Sequence, residues 1–242
     1  MNGVIARITL RQLLSRRRTL LLLLLAGLML LVALGLRIGA EPVNRPHAAA
    51  RLLEVFGTAT LMPLVALLFG TATLGAELEE GTAIYLLAKP VPRWQTLLTK
   101  LVVAAACSIA LTSIPVLLAG LIAGAGIGLA VAFALATAVG SLVYCAIFVA
   151  LSLITGRALV FGLGYVLIWE GVLAGLFAGT QTFSVRQHTL ALADALSDVP
   201  STVFSAPLPL GTALVVGGAV LVLATVIGIR RLARIEIAGE ST

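Results

Sequence analysis

Glu170 stands alone in an otherwise uncharged run, Ala158–Thr180. A carboxyl group in such a run can carry a proton or anchor an interhelical hydrogen bond. Leaving it charged near mid-membrane costs roughly 2.5–3.5 kcal/mol. It is therefore expected to point into the protein, to be protonated, or to bond to groups such as Ser108, Thr112, Thr137 or Ser141. A second stretch able to do chemistry reads Glu77-Leu78-Glu79-Glu80-Gly81-Thr82, then Ala83–Ala88, then Lys89-Pro90-Val91-Pro92-Arg93, then Trp94–Lys100. Both charge signs frame a short apolar patch of Ile84, Leu86 and Leu87, which suits either docking on another protein or an ordinary loop with an interfacial helix. Other chemistries lack their residues. A phosphate-cradling loop needs Gly-x-x-x-x-Gly-Lys before Ser or Thr, and neither Lys89 nor Lys100 follows a glycine. The histidines, His47 and His188, fall outside the apolar runs, and no His-Glu-x-x-His set occurs. Cys107 and Cys145 read as small buried hydrophobes.

The elements that position these residues follow from composition. Of 242 residues, 60% are hydrophobic and 11% charged, against about 45–50% and about a quarter in a soluble domain. A 24.9 kDa globule has no interior large enough to hide that surface. A soluble enzyme, a disordered tail and a disulfide scaffold are excluded. The net charge of +6 comes from short basic clusters flanking long uncharged runs, which points to membrane sidedness and not to nucleic acid.

Backbone groups in lipid must be satisfied within the segment, and these runs lack the period-two alternation of a barrel, so the spans are expected to be helices. The expected class is all-α, a polytopic protein with six transmembrane helices in a single domain, 1–242. The spans are Thr19–Leu36, Val55–Ala76, two within Leu101–Gly156 with a turn in Gly120–Gly128, Ala158–Thr180, and Leu210–Ile229. The first reads as an uncleaved anchor, since no small-x-small cleavage site follows it. With a cytoplasmic N-terminus, one side holds twelve Lys and Arg residues and the other holds four, Arg37, Arg45, Arg51 and Arg186. Both termini are therefore expected to be cytoplasmic. Residues 1–18 suit a basic interfacial helix or a basic tail.

Glu-x-Glu-x-Gly-Thr, a short helix, Lys-Pro-Val-Pro-Arg and a lysine at the next span together resemble the permease subunits of ABC transporters, more narrowly the ABC type 2 exporter family. The resemblance spans nearly the whole chain. It implies a coupling helix in the cytoplasmic loop 77–100 that sits in a cleft of an ATPase, carried here by Glu77, Glu79, Gly81, Thr82, Pro90, Pro92 and Arg93. It implies further a separate ABC ATPase in two copies binding ATP and Mg, no cofactor in this chain, and a second permease, identical or homologous. The setting would be the cell (inner) membrane, in contact with lipid.

Gly171, Gly175 and Gly179 recur at four-residue spacing, which on an α-helix gives one small-residue face. That face suits either a partner permease or packing within one subunit. Residues 181–206 are expected as an outer-surface loop, with an amphipathic helix over Val185–Val199 placing Leu192, Leu196 and Val199 on one side. Phe56–Leu61 and Phe69–Leu74 repeat the same six residues but face different ways, so no shared site is expected. Two other classes stand against the ATP-driven reading. One is a secondary transporter with Glu170 as proton site, although no related halves are evident. The other is an intramembrane enzyme, for which the paired acids or Ser–His set are lacking.

Overall fold

The computed structural model describes residues 7, 9–10, 13, 17–79, 92–174 and 178–234. Among them every regular element is helical. Helix α1 is Arg17–Gly39. Helix α2, Arg45–Leu52, runs through a π-helical segment, Leu53–Leu61, into α3, Met62–Glu79. Helices α4, Arg93–Ala123, and α5, Ile127–Ile154, follow. Helix α6, Ala158–Gly164, widens into a second π segment, Tyr165–Leu173. A 3-10 segment, Ala178–Phe183, leads to α7, Val185–Leu196, and Leu210–Arg234 is α8.

Five of these stretches are long and apolar enough to cross a bilayer: Thr19–Gly39, Arg45–Leu74, Trp94–Ala123, Ile127–Ile154 and Leu210–Arg234. The expected fifth span is regular helix over Ala158–Leu173, first α-helical and then π-helical, and Ala174 continues it; residues 175–177 lie outside the described residues. Glu170 lies in the π-helical part, and a 3-10 segment, Ala178–Phe183, precedes α7.

Helix α5 is the hub, packing on α3, α4, α7 and α8. Its small residues make this possible, because four neighbours cannot crowd a helix of large side chains. Gly140 marks the tightest approach: a β-carbon there would lie 2.6 Å from Met62 Sδ and would also overlap Thr189 Oγ1. Gly140→Leu is therefore expected to cost about 3 kcal/mol by overpacking, read as a lowered unfolding midpoint in detergent; an unchanged midpoint would remove this close approach from the account. Phe133, Tyr144 and Phe148 fill the rest of the hub; Phe133 meets Phe204 at 4.8 Å between ring centroids, and Phe148 stacks on Tyr144 at 5.8 Å.

The flanking helices touch the hub group along narrow stripes. On α1 the buried residues are Thr19, Leu22, Ala26, Met29 and Ala33, spaced three, four, three and four apart, as one helical face requires. On α8 they are Ala213, Gly217, Ala224, Gly228 and Leu232, a small-residue stripe that lets α8 lie close to its neighbours. Leucines and valines cover the rest of both helices and face outward. The turn between α4 and α5 falls at Gly124 and Gly126, whose φ values of 88° and 85° lie in the left-handed region that favours glycine.

Candidate functional site

The buried carboxyl group of Glu170, 3% exposed, organises a polar cluster inside the bundle. In an α-helix Tyr165 and Glu170 would stand about 140° apart. The wider π turn brings residues five apart onto one face, and the Tyr165 hydroxyl donates to Glu170 Oε1 at 3.1 Å. Two more donors come from the start of α7. The Val185 N–H reaches Oε1 at 2.9 Å, and the Ser184 hydroxyl donates to Oε2. Ser184 also caps α7, its Oγ accepting from the Gln187 N–H at 3.2 Å. A carboxylate placed here satisfies an orphan donor of the helix and complements the positive end of its dipole. Tyr144 of α5 is buried close by.

Three of the expected partners of Glu170, Thr112, Thr137 and Ser141, are engaged elsewhere. Thr112 and Ser141 bond to each other at 3.0 Å, and Ser113 bonds Thr137 at 3.3 Å, which ties α4 to α5. Ser108 Oγ is buried and makes no bond to Glu170. The donors that matter lie 14 and 15 residues after Glu170, because the chain reverses between α6 and α7.

A second acid grips the next residue of the same helix. Arg186 pairs with Glu54 at 3.3 Å, and Glu54 lies in the π segment 53–61. Each π segment thus supplies one carboxylate to the first turn of α7. Neither Glu54, Ser184 nor Tyr165 carries a site signal in the sequence; the lone basic residue Arg186, two residues after the N-capping Ser184, is the one hint it offers. Because the pair is 19% and 30% exposed, its coupling is expected to be about 1 kcal/mol. A double-mutant cycle of Glu54→Ala and Arg186→Ala on the unfolding midpoint measures it, and additive losses would remove the interaction.

Helix α7 is wedged into the bundle. Val185, Gln187, His188, Thr189, Leu190, Ala191 and Ala193 are buried against α5 and α8. Leu196, expected on the apolar side, is 46% exposed. His188 Nε2 bonds the Thr182 carbonyl at 2.8 Å, and Asp194 Oδ2 accepts from the Ala206 N–H at 3.0 Å, so the segments before and after α7 are both tied to it. An apolar pocket of about 140 Å³ opens between α5, α7 and α8, with Gly140, Val143, His188, Leu192, Gly217 and Leu221 in its lining.

The remaining singled-out residues lie apart from this cluster. Glu77 and Glu79 belong to the last turn of α3. Pro92 is the N-cap residue of α4, and Arg93 is its first residue. Gly81, Thr82 and Pro90, with the short helix expected between them, lie outside the described residues. Gly171 is in the π segment and Gly179 in the 3-10 segment, both exposed, while Gly175 lies outside the described residues. Four-residue spacing therefore does not produce one continuous α-helical face here. Among the described residues, no group of three or more His, Cys, Asp or Glu side chains could hold a metal ion.

A family model described as ABC-2 family transporter protein matches residues 4–236. No curated protein matches the chain.

Proposed function

The chain belongs to the ABC-2 transporter family, and from that membership we propose that it is the permease subunit of an exporter powered by a separate ATPase. The observation that carries this reading is the family match over residues 4–236, to which the charged segment between α3 and α4 adds a place for the ATPase to act. In this reading Glu77, Glu79, Gly81, Thr82, Pro90, Pro92 and Arg93 form the surface that meets the ATPase. Helix α6 with its π segment completes a set of six spans. That count puts both termini and twelve of the sixteen basic residues on the cytoplasmic side of the cell membrane. ATP and Mg are bound by the ATPase, since no phosphate-cradling motif exists in this chain.

Two ATPases and two permeases make up the assembly, with Gly171, Gly175 and Gly179 on the permease–permease contact. Binding of the loop in two ATPase states with different affinity supplies the coupling energy. Affinity purification of the tagged full-length chain from its native membrane, followed by mass spectrometry, tests the reading. The expected result is stoichiometric recovery of a nucleotide-binding subunit whose ATP hydrolysis persists in the complex. Activity of the chain alone, driven by an ion gradient, would overturn it.

A further inference from the structure

The apolar pocket between α5, α7 and α8 contains a polar atom that the packing of the bundle does not use. His188 lines the pocket and is 8% exposed. Its Nε2 pairs with the Thr182 carbonyl, and a carbonyl oxygen only accepts, so Nε2 carries the proton. In the neutral ring Nδ1 is then an acceptor. That atom is buried and has no hydrogen-bond partner, although buried polar atoms are nearly always paired. It faces Gly217 of α8, where a β-carbon would lie 3.3 Å from it. Gly217 and Gly218 both line the pocket, and a β-carbon on Gly218 would meet open space. Two consecutive glycines thus leave α8 bare where it passes the ring.

The surroundings select the kind of ligand. Val139 and Leu214 also line the pocket and are 49% and 56% exposed. Both belong to helices long and apolar enough to cross a bilayer, so the pocket opens toward hydrocarbon. A buried water needs about two to four polar partners. Besides His188 the lining offers one polar side chain, Thr189, whose hydroxyl already donates to the Val185 carbonyl at 3.0 Å. The volume of about 140 Å³ matches apolar cavities that hold a body the size of benzene, about six carbon atoms. We propose that this pocket binds a slender membrane lipid bearing a free hydroxyl group: the O–H donates to His188 Nδ1, neighbouring carbons of the chain fill the apolar space, and the remainder stays in the bilayer. An occupant there touches α5, α7 and α8 together. The site does not depend on the ATPase reading.

The test is ¹⁵N NMR of the labelled full-length chain in nanodiscs of phosphatidylcholine, a lipid without a hydroxyl group. The chain has two histidines; the exposed His47 is replaced by Gln in every sample, leaving His188 as the one imidazole observed. The spectrum is expected to show a neutral ring protonated at Nε2. Titration with hexanol is expected to move the Nδ1 resonance upfield to a plateau, at least threefold further than hexyl methyl ether, which has the same apolar chain and no donor. In Gly218→Leu, which places a side chain in the pocket and leaves His188 untouched, the saturable shift is expected to vanish at an unchanged melting midpoint. Equal shifts from the alcohol and the ether would overturn the proposal. So would a shift that rises linearly with hexanol, the mark of partition into the bilayer, or one that survives in Gly218→Leu. A ring protonated at Nδ1 would overturn it before any ligand is added.

Discussion

Glu170→Ala is expected to destabilise the bundle by about 4 kcal/mol. The substitution removes the acceptor of three donors at once: the Tyr165 hydroxyl, the Ser184 hydroxyl and the Val185 N–H. Tyr165 is half-buried and can turn outward. Ser184 and Val185 are buried and cannot, so each retains the cost of an unsatisfied donor, about 1–3 kcal/mol. The α7 dipole loses its compensating carboxylate as well. Glu170→Gln keeps one acceptor oxygen but turns an amide N–H₂ toward a donor, and its expected loss is about half as large. Thermal unfolding in detergent, followed by circular dichroism, reads both. A midpoint for Glu170→Ala within a degree of wild type would mean that this carboxyl group does not hold α7.

The second large effect is on assembly, not on stability. Arg93→Glu reverses a charge at the start of α4, within the surface proposed to meet the ATPase. Placing like charges at a contact costs several kcal/mol, and about 2 kcal/mol already corresponds to roughly thirtyfold in affinity. The tagged Arg93→Glu chain is expected to reach the membrane at wild-type level but to retain at least tenfold less ATPase. Gly81→Pro is expected to act in the same direction, because proline fixes φ and removes a backbone donor. Wild-type recovery of the ATPase with both variants would move the contact elsewhere on the chain.

The long helices were legible because their sequences are apolar for the length of a membrane and end at charge or glycine; Gly124 and Gly126 mark the α4–α5 turn for that reason. The π segments were not legible, and the repeated hexapeptide shows why. Phe56–Leu61 lies in a π segment, whereas the identical Phe69–Leu74 lies in α3. Thr60 bonds the carbonyl five residues back, and its counterpart Thr73 the one four back. Local sequence therefore does not choose the helix type. What differs is context: the first copy precedes Pro63, which has no N–H to offer Ala59, and it follows Glu54, which is drawn to Arg186. For Glu170, burial and hydrogen bonding could be foreseen from the cost of a charge in lipid. Its partners could not, since they depend on a chain reversal that no residue in 158–180 announces.

The spacing between Glu170 and its donors also bears on how the chain enters the membrane. At about 5–20 residues per second of synthesis, Glu170 precedes Ser184 and Val185 by roughly one to three seconds. Throughout that interval the nascent helix from Ala158 onward carries a carboxyl group with Tyr165 as its only partner in the site. Such a helix is a poor candidate for release into lipid by itself. It is completed only when the start of α7 is translated and folds back onto it, so residues 158–196 are expected to enter the membrane as one unit.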